Sequence, residues 1–246
     1  MIVGILQARC SSTRLPAKVM LPILGVPMLL RQIERVQRSA LIGHLLVATS
    51  DDPTDDRIET LCRENGIICY RGKLCDVLDR YYQAAQLLRP EHIVRLTGDC
   101  PLADSVLIDQ VIRYHLNGGY DYTSNALEPT FPDGLDVEVI RYDCLETAWK
   151  EAVSPSHREH VTPFFYQHPE RFSIGIFKNQ TDLSALRLTV DEQLDFQLIT
   201  TIYEALYPQN PAFTIQDVLD FLDQHPETKR LNGSIKRNEG FRAEEG

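Results

Sequence analysis

The chain has 246 residues, 43% of them hydrophobic, and a formal net charge of −10 at pH 7. That suffices for one sizeable core, and the acidic balance excludes a general nucleic-acid binder, which needs a broad basic surface to displace counterions. No apolar run approaches a membrane span, no leader is expected ahead of the first strand, and the scattered cysteines, with no CxxC or zinc-like spacing, are expected to be reduced thiols of a cytoplasmic protein.

The first predicted strand, residues 2–8, is apolar apart from Gln7 and runs into a loop holding Arg9, Arg14 and Lys18. Three like charges in one small loop repel unless a polyanion joins them, and a nucleoside triphosphate is such an anion. Ser11, Ser12 and Thr13 add hydroxyls and turn N–H groups, so the loop can act as an anion-binding nest without a Walker pattern. The competing reading is a solvated basic loop between strand and helix. A helix from about residue 27 could add its N-terminal dipole.

Further strands are predicted at 44–50, 67–71 and 92–97, alternating with helices at 27–39, 54–65, 76–88 and 105–116. Asn65-Gly66 and Arg89-Pro90 end two of those helices. The alternation predicts an α/β fold with a mainly parallel central sheet and helices on both faces. Ligands in such sheets sit beyond the carboxyl ends of the strands, where the basic loop and residues 49–52, 71–73 and 97–101 all fall.

After Gly118-Gly119 the pattern changes. Strands are predicted at 120–125, 134–141, 172–178 and 186–190, and helices at 142–152, 158–168, 192–206 and 214–224. Residues 1–228 are expected to form a single domain, with about 120–180 adding sugar-site and possible dimerisation elements. The polar stretch 229–246 is expected to be a mobile tail.

Two aspartates are candidate metal ligands. Asp99 follows ValArgLeuThrGly, where Gly98 lets the backbone approach a ligand. Asp191 follows LeuArgLeuThrVal and opens a helix, so its plain role is an N-cap. If strand 186–190 joins the sheet beside 92–97, both carboxylates lie near the triphosphate, and magnesium becomes the economical explanation. A third constellation comprises Asp133, Asp136 and Glu138, with Arg158, Glu159 and His160 further on and Tyr122 and Asn125 nearby. A lone His is more often a satisfied structural residue than a catalyst. Together, though, these groups suit a polyhydroxylated ligand with an acidic group.

LeuGlnAlaArg, SerThrArgLeuProAlaLys and ProIleLeuGlyValProMet resemble the start of the cytidylyltransferases that activate acidic sugars, the CMP-sialic acid and CMP-KDO synthetase group. ArgGlyLysLeuCysAspValLeuAspArgTyr, LeuThrGlyAspCysPro, AspGlyLeuAspValGluVal, ArgGluHisValThrPro and LeuThrValAspGluGlnLeuAspPhe resemble one branch of it, the spore-coat polysaccharide biosynthesis protein F family. The likeness spans residues 2–206. It implies a Rossmann-like nucleotidyltransferase fold, CTP and an acidic (nonulosonic or KDO-like) sugar as substrates, magnesium, and a homodimer.

By position, the resemblance implies that Arg9 and Lys18 hold the phosphates, with Arg14 closing the loop. Ala8, Thr49, Ser50 and Arg71 would surround the cytidine, with Thr97 and Gly98 beside the nucleotide. Asp99 and Asp191 would hold magnesium. Tyr122, Asn125, Asp136, Glu138, Arg158, Glu159 and His160 would form the sugar pocket. The general base stays open between Asp99 and a metal-bound hydroxide. Thr97 departs from the Gln of the KDO enzymes, and Glu192-Gln193 departs from the Pro of many relatives. The competing functions are a sugar-phosphate nucleotidylyltransferase, a metal-dependent glycosyltransferase and a non-catalytic nucleotide-binding protein of a polysaccharide pathway.

Overall fold

The structure is a computed structural model, and it describes residues 1–235. In chain order the elements are β1 Ile2–Gln7, β2 Pro22–Ile23, β3 Val26–Pro27, α1 Met28–Val36, β4 His44–Ser50, α2 Asp56–Glu64, β5 Ile68–Gly72, α3 Val77–Gln86, β6 His92–Thr97 and α4 Ser105–Gly118. There follow β7 Tyr122–Ser124, β8 Glu138–Arg141, α5 Tyr142–Glu151, α6 Pro155–His160, α7 Pro163–Tyr166, β9 Ile174–Ile176, α8 Gln193–Leu206, α9 Ile215–Gln224 and α10 Pro226–Lys229.

One seven-stranded sheet has the order β5-β4-β1-β6-β8-β7-β9, and β2 and β3 form a separate two-stranded ribbon. β1 pairs in parallel with both β4 and β6, β4 with β5, and β7 with β9, while β8 runs antiparallel to β6 and β7. Successive side chains of a strand point to opposite faces, so the apolar runs of β1, β4 and β6 feed two cores. Leu6, Val47, Val94 and Leu96 pack with Leu29 and Ile33 of α1, Val111 of α4 and Leu198 of α8. Val3, Ile5, Leu46, Ala48 and Ile93 pack on the other face with Leu78 and Tyr81 of α3 and Leu145 of α5. Helices therefore cover both faces.

Short polar caps fix the helix ends that matter for the site. Asp76 accepts from the Asp79 amide at the start of α3, and Asp104 accepts from the amides of Val106 and Leu107 at the start of α4. Gly119, at φ 60°, ends α4 in the left-handed conformation that glycine takes without strain.

Four expectations from the sequence are corrected. Residues 186–190 do not join the sheet. They form an extended segment held by a bridge between Asp133 and Arg187, by Leu188 N–H to the Asp133 carbonyl and by Val190 N–H to the Asp99 carbonyl. The helix predicted over 158–168 is two short helices, α6 and α7, broken at Val161, whose φ of 68° is incompatible with a continuous helix. The expected strand 134–141 pairs only over Glu138–Arg141. The tail expected over 229–246 begins packed: Asn232 is buried and donates to the Arg187 carbonyl and to Asp195. The rest of that expectation falls outside the described residues.

Candidate active site

The carboxyl ends of β1 and β6 open onto a cavity of about 660 Å³, within the range of small-molecule sites. Ser11, Ser12 and Thr13 of the basic loop line it together with Ala8, Arg9, Arg14 and Lys18. Two contacts hold this loop. Cys10 N–H donates to Asp55 Oδ1 at 2.6 Å, and Ala17 N–H donates to the Cys10 carbonyl at 2.9 Å. Asp55 is fully buried and also accepts from the Ser50 amide at 3.2 Å and from its hydroxyl. One carboxylate thus ties the loop after β1 to the end of β4. At the end of β6, a Cβ on Gly98 would lie 3.0 Å from Ala8 Cβ and from the Gln7 carbonyl, so any larger residue would have to push the end of β1 away by a few tenths of an ångström.

Lys18 is the centre of the charge network. Its Nζ donates to Asp191 Oδ1 at 2.9 Å, to the Val190 carbonyl at 2.7 Å and to Asp99 Oδ2 at 3.4 Å. Arg14 reaches Asp191 Oδ1 at 3.1 Å, and Arg187 Nη2 donates to Asp191 Oδ2 at 2.9 Å. Burial alone would raise the Asp191 pKa, but Lys18, Arg14 and Arg187 outweigh it and hold that carboxyl below its ordinary value. Burial alone would lower Lys18, yet Asp99 and Asp191 push it above its ordinary value. Arg187 is itself buried among Asp133, Asp191 and Asp195, with contacts of 2.9–3.0 Å. Gly134, at φ 99°, lets the turn carrying Asp133 dock here, since a Cβ would lie 2.4 Å from Thr189 N.

Asp191 is not the helix cap the sequence suggests. Glu192 caps α8, and Asp195 returns to the cap backbone in a capping box. This leaves Asp191 free of helix duty and facing the cavity with Asp99. Two carboxylates that already converge on one ammonium offer hard oxygen donors of the kind magnesium takes, and that ion is commonly held by one or two carboxylates with phosphate oxygens and water. The donor chemistry fits. Among the described residues no cluster of three or more His, Cys, Asp or Glu side chains forms a metal cage.

The expected residues divide sharply. Ala8, Arg9, Arg14, Lys18, Thr97, Gly98, Asp99, Asp136, Glu159, His160 and Asp191 line the cavity. Thr49, Ser50 and Arg71 do not: the first two are fully buried, and Arg71 spends its guanidinium on Asp56, Glu59 and the carbonyls of Ser50 and Asp52. Of the four residues expected around the cytidine, Ala8 alone is part of the cavity lining. Tyr122, Asn125, Glu138 and Arg158, expected at the sugar, likewise lie outside the cavity lining. Tyr122 is fully buried against Glu138, Asn125 bonds the Leu135 carbonyl and the Val137 amide, and Arg158 bonds Asp76 at 2.6 Å and the Trp149 carbonyl. The N-terminus of α1 contributes no residue to the lining, since Met28 N–H is taken by the Leu21 carbonyl.

Sequence reading missed Arg95, Arg187 and Gln7, all of which line the cavity. The signal was present: each is a polar or charged residue inside an otherwise apolar run, where burial demands a partner.

The family model described as Cytidylyltransferase matches residues 3–225. The chain is 36% identical to the uncharacterized protein MJ1063 of Methanocaldococcus jannaschii over 99% of both chains. It is 32% identical to the spore coat polysaccharide biosynthesis protein SpsF of Bacillus subtilis, over 92% of this chain and 95% of that protein. Among solved structures, a cytidylyltransferase from Leptospira borgpetersenii superposes with a TM-score of 0.89 at 31% identity, covering 96% of this chain and 99% of that one. CMP:2-keto-3-deoxy-manno-octonic acid synthetase complexed with CTP superposes at 0.64 with 17% identity, over 82% and 98%, a likeness of fold alone.

Proposed function

The chain belongs to the cytidylyltransferase family and is a nucleotidyltransferase, and from that premise we propose that it transfers the cytidylyl group of CTP to a hydroxyl of an acidic, nonulosonic or KDO-like sugar, for surface polysaccharide or glycan synthesis. The observation that carries the reading is Lys18. Its ammonium contacts two carboxylates 81 and 173 residues away, in a cavity that also holds the rest of the basic loop.

The sugar hydroxyl attacks the α-phosphorus, the bond to the bridging oxygen of pyrophosphate breaks, and the hydroxyl proton passes to a base, for which Asp99 is the candidate. Arg9, Arg14 and Lys18, with the amides and hydroxyls of residues 11–13, hold phosphate oxygens and spread the charge of the leaving pyrophosphate. Asp99 and Asp191 would hold magnesium, which when bound supplies further neutralisation of phosphate charge. Asp136, Glu159 and His160 offer donors and acceptors to sugar hydroxyls. A homodimer and a cytoplasmic setting belong to the same reading; no helix among the described residues is long and apolar enough to cross a membrane.

The test is pyrophosphate release with CTP, ATP, GTP or UTP against a panel of acidic sugars at varied magnesium. Release is expected with CTP, and Asp99→Asn and Asp191→Asn should each abolish it. The melting curves should differ. Asp99 has a single cation contact, at 3.4 Å, and its loss should cost little stability. Asp191→Asn strips Lys18, Arg14 and Arg187 of a shared partner and should cost about 1.5–3 kcal/mol. Full activity of the Asp191 variant at ordinary magnesium would break the two-carboxylate site, and no preference for CTP would sink the cytidylyl assignment.

A further inference from the structure

Strand β6 carries a charge where its neighbours are apolar. Arg95 stands on the sheet face covered by α3, in register with Glu138 of β8. Its Nη1 donates to Glu138, and Glu138 accepts in turn from the hydroxyl of the fully buried Tyr122. The guanidinium carbon lies 5.6 Å from the centre of the Tyr81 ring. The plane is thus clamped along one edge and packed near an aromatic face, which fixes the direction of its remaining N–H groups.

One of those groups is not used by the protein. Arg95 Nε is buried and donates to no group, and Gln7 Oε1 is buried without a partner. The register of β1 with β6 pairs Ile5 with Arg95 and Gln7 with Thr97, so Gln7 and Arg95 are diagonal neighbours on one face of the sheet. Both line the active-site cavity. Buried polar atoms are nearly always satisfied in folded proteins, and two unpartnered ones on diagonal side chains that both line a cavity point to a ligand toward which these side chains turn.

We propose that Arg95, braced by Glu138 and Tyr122, is the residue that selects an acidic acceptor: the Nε edge of its guanidinium forks onto the sugar carboxylate, and the Gln7 carboxamide bonds an adjacent oxygen. This rests on the acidic-sugar reading above and names the group that makes the acid a requirement. Guanidinium is matched to a planar carboxylate by two parallel N–H bonds, whereas a neutral amide at the same carbon presents one acceptor and two surplus donors. A merely structural Arg95–Glu138 pair would give no discrimination between them.

The experiment uses the full chain with CTP and magnesium. It reads acceptor affinity by melting-temperature shift, and pyrophosphate release beside it. The probes are 3-deoxy-manno-octulosonate, N-acetylneuraminate and a set of uronic and aldonic acids, each paired with its C1 or terminal amide, together with sugar phosphates. The wild type should bind at least one acid well ahead of its amide. Arg95→Gln and Arg95→Lys should weaken the acid by about 10- to 100-fold and so erase the acid-over-amide preference. The CTP-induced shift should persist in both, which reports a folded nucleotide half. Glu138→Gln, which keeps Arg95 but loosens its clamp, should lower the preference by a smaller factor, and it serves if the Arg95 variants do not fold.

Equal binding of acid and amide by the wild type, an unchanged preference in the variants, a preference for the phosphates, or no bound acid would each overturn the assignment. Pyrophosphate release from CTP with a neutral sugar would overturn it too while leaving cytidylyl transfer standing. Arg95-dependent acid binding without pyrophosphate release would do the reverse.

Discussion

Single residues carry the tension between stability and site in this protein, and Arg80 shows it most plainly. It is 1% exposed on α3, and its Nε, Nη1 and Nη2 are all buried without a partner. Burial lowers its pKa, with the Arg9 cation adding to the effect. Its stem fills the space beside Gly72, where a Cβ would lie 2.7 Å from Arg80 Cγ. Methionine keeps most of that stem and removes the unpaired donors. Arg80→Met is therefore expected to stabilise the ligand-free protein by about 1–3 kcal/mol, read as a higher urea midpoint with an unchanged slope. A lower midpoint would mean that the guanidinium is satisfied in solution. The same reasoning, that a buried polar atom must be paid for or used, separates Arg95 and Gln7 from Ser50, whose hydroxyl and amide are both taken by Asp55.

At the scale of elements, the site is assembled by segments that are neither strand nor long helix. The extended run 186–190 brings Arg187 and Asp191 beside the end of β6, and the turn at Gly134 brings Asp133 to meet it. Asn232 closes the arrangement from the far end of the chain, donating to the Arg187 carbonyl at 3.0 Å and to Asp195 Oδ1 at 2.8 Å. Asp195 is fully buried, and although burial alone would raise its pKa, Arg187 and Asn232 hold it below the ordinary carboxylate range. Asn232→Ala leaves that buried carboxylate one donor short and should cost about 1.5–3 kcal/mol in chemical unfolding. A loss below a few tenths of that range would show that residues near 232 only cover the site and do not hold it.

Across the whole molecule, the two ends of the sheet hold opposite chemistry. The carboxyl end gathers the charged cavity, whereas the other end carries a histidine pair. His92 Nδ1 and His115 Nε2 lie 3.0 Å apart, and His115 Nδ1 lies 2.9 Å from Thr123 Oγ1. Burial, with His92 adding to it, pushes His115 down to about 4 from its ordinary 6.5. The unfolded chain therefore takes up a proton that the folded chain refuses. Stability from this group is fully present above the ordinary value and is lost as pH falls from 6.5 toward 4. Melting temperatures measured between pH 7 and pH 4.5 should fall in the wild type, and His115→Gln should flatten that fall. An identical slope in both would exclude His115 as its cause.

Periodicity and turn chemistry in the sequence determine the layers of this fold. The apolar runs of β1, β4 and β6, spaced by helices ending at Asn65-Gly66 and Arg89-Pro90, leave few arrangements other than a parallel sheet covered on both faces. The basic loop and Asp99 are legible for the same reason, because they follow strand ends and ligand sites lie beyond those ends. Tertiary structure alone decides which polar side chains reach a ligand. Tyr122, Asn125 and Glu138 look like sugar ligands by type, yet burial commits them to neighbours, whereas Arg95, inside the apolar strand β6, and Arg187, inside the extended run 186–190, emerge in the cavity. The physical reason is that a polar group's role depends on whether some other group already satisfies it. That partner is brought by contacts up to 173 residues away, as between Lys18 and Asp191, which no local pattern encodes.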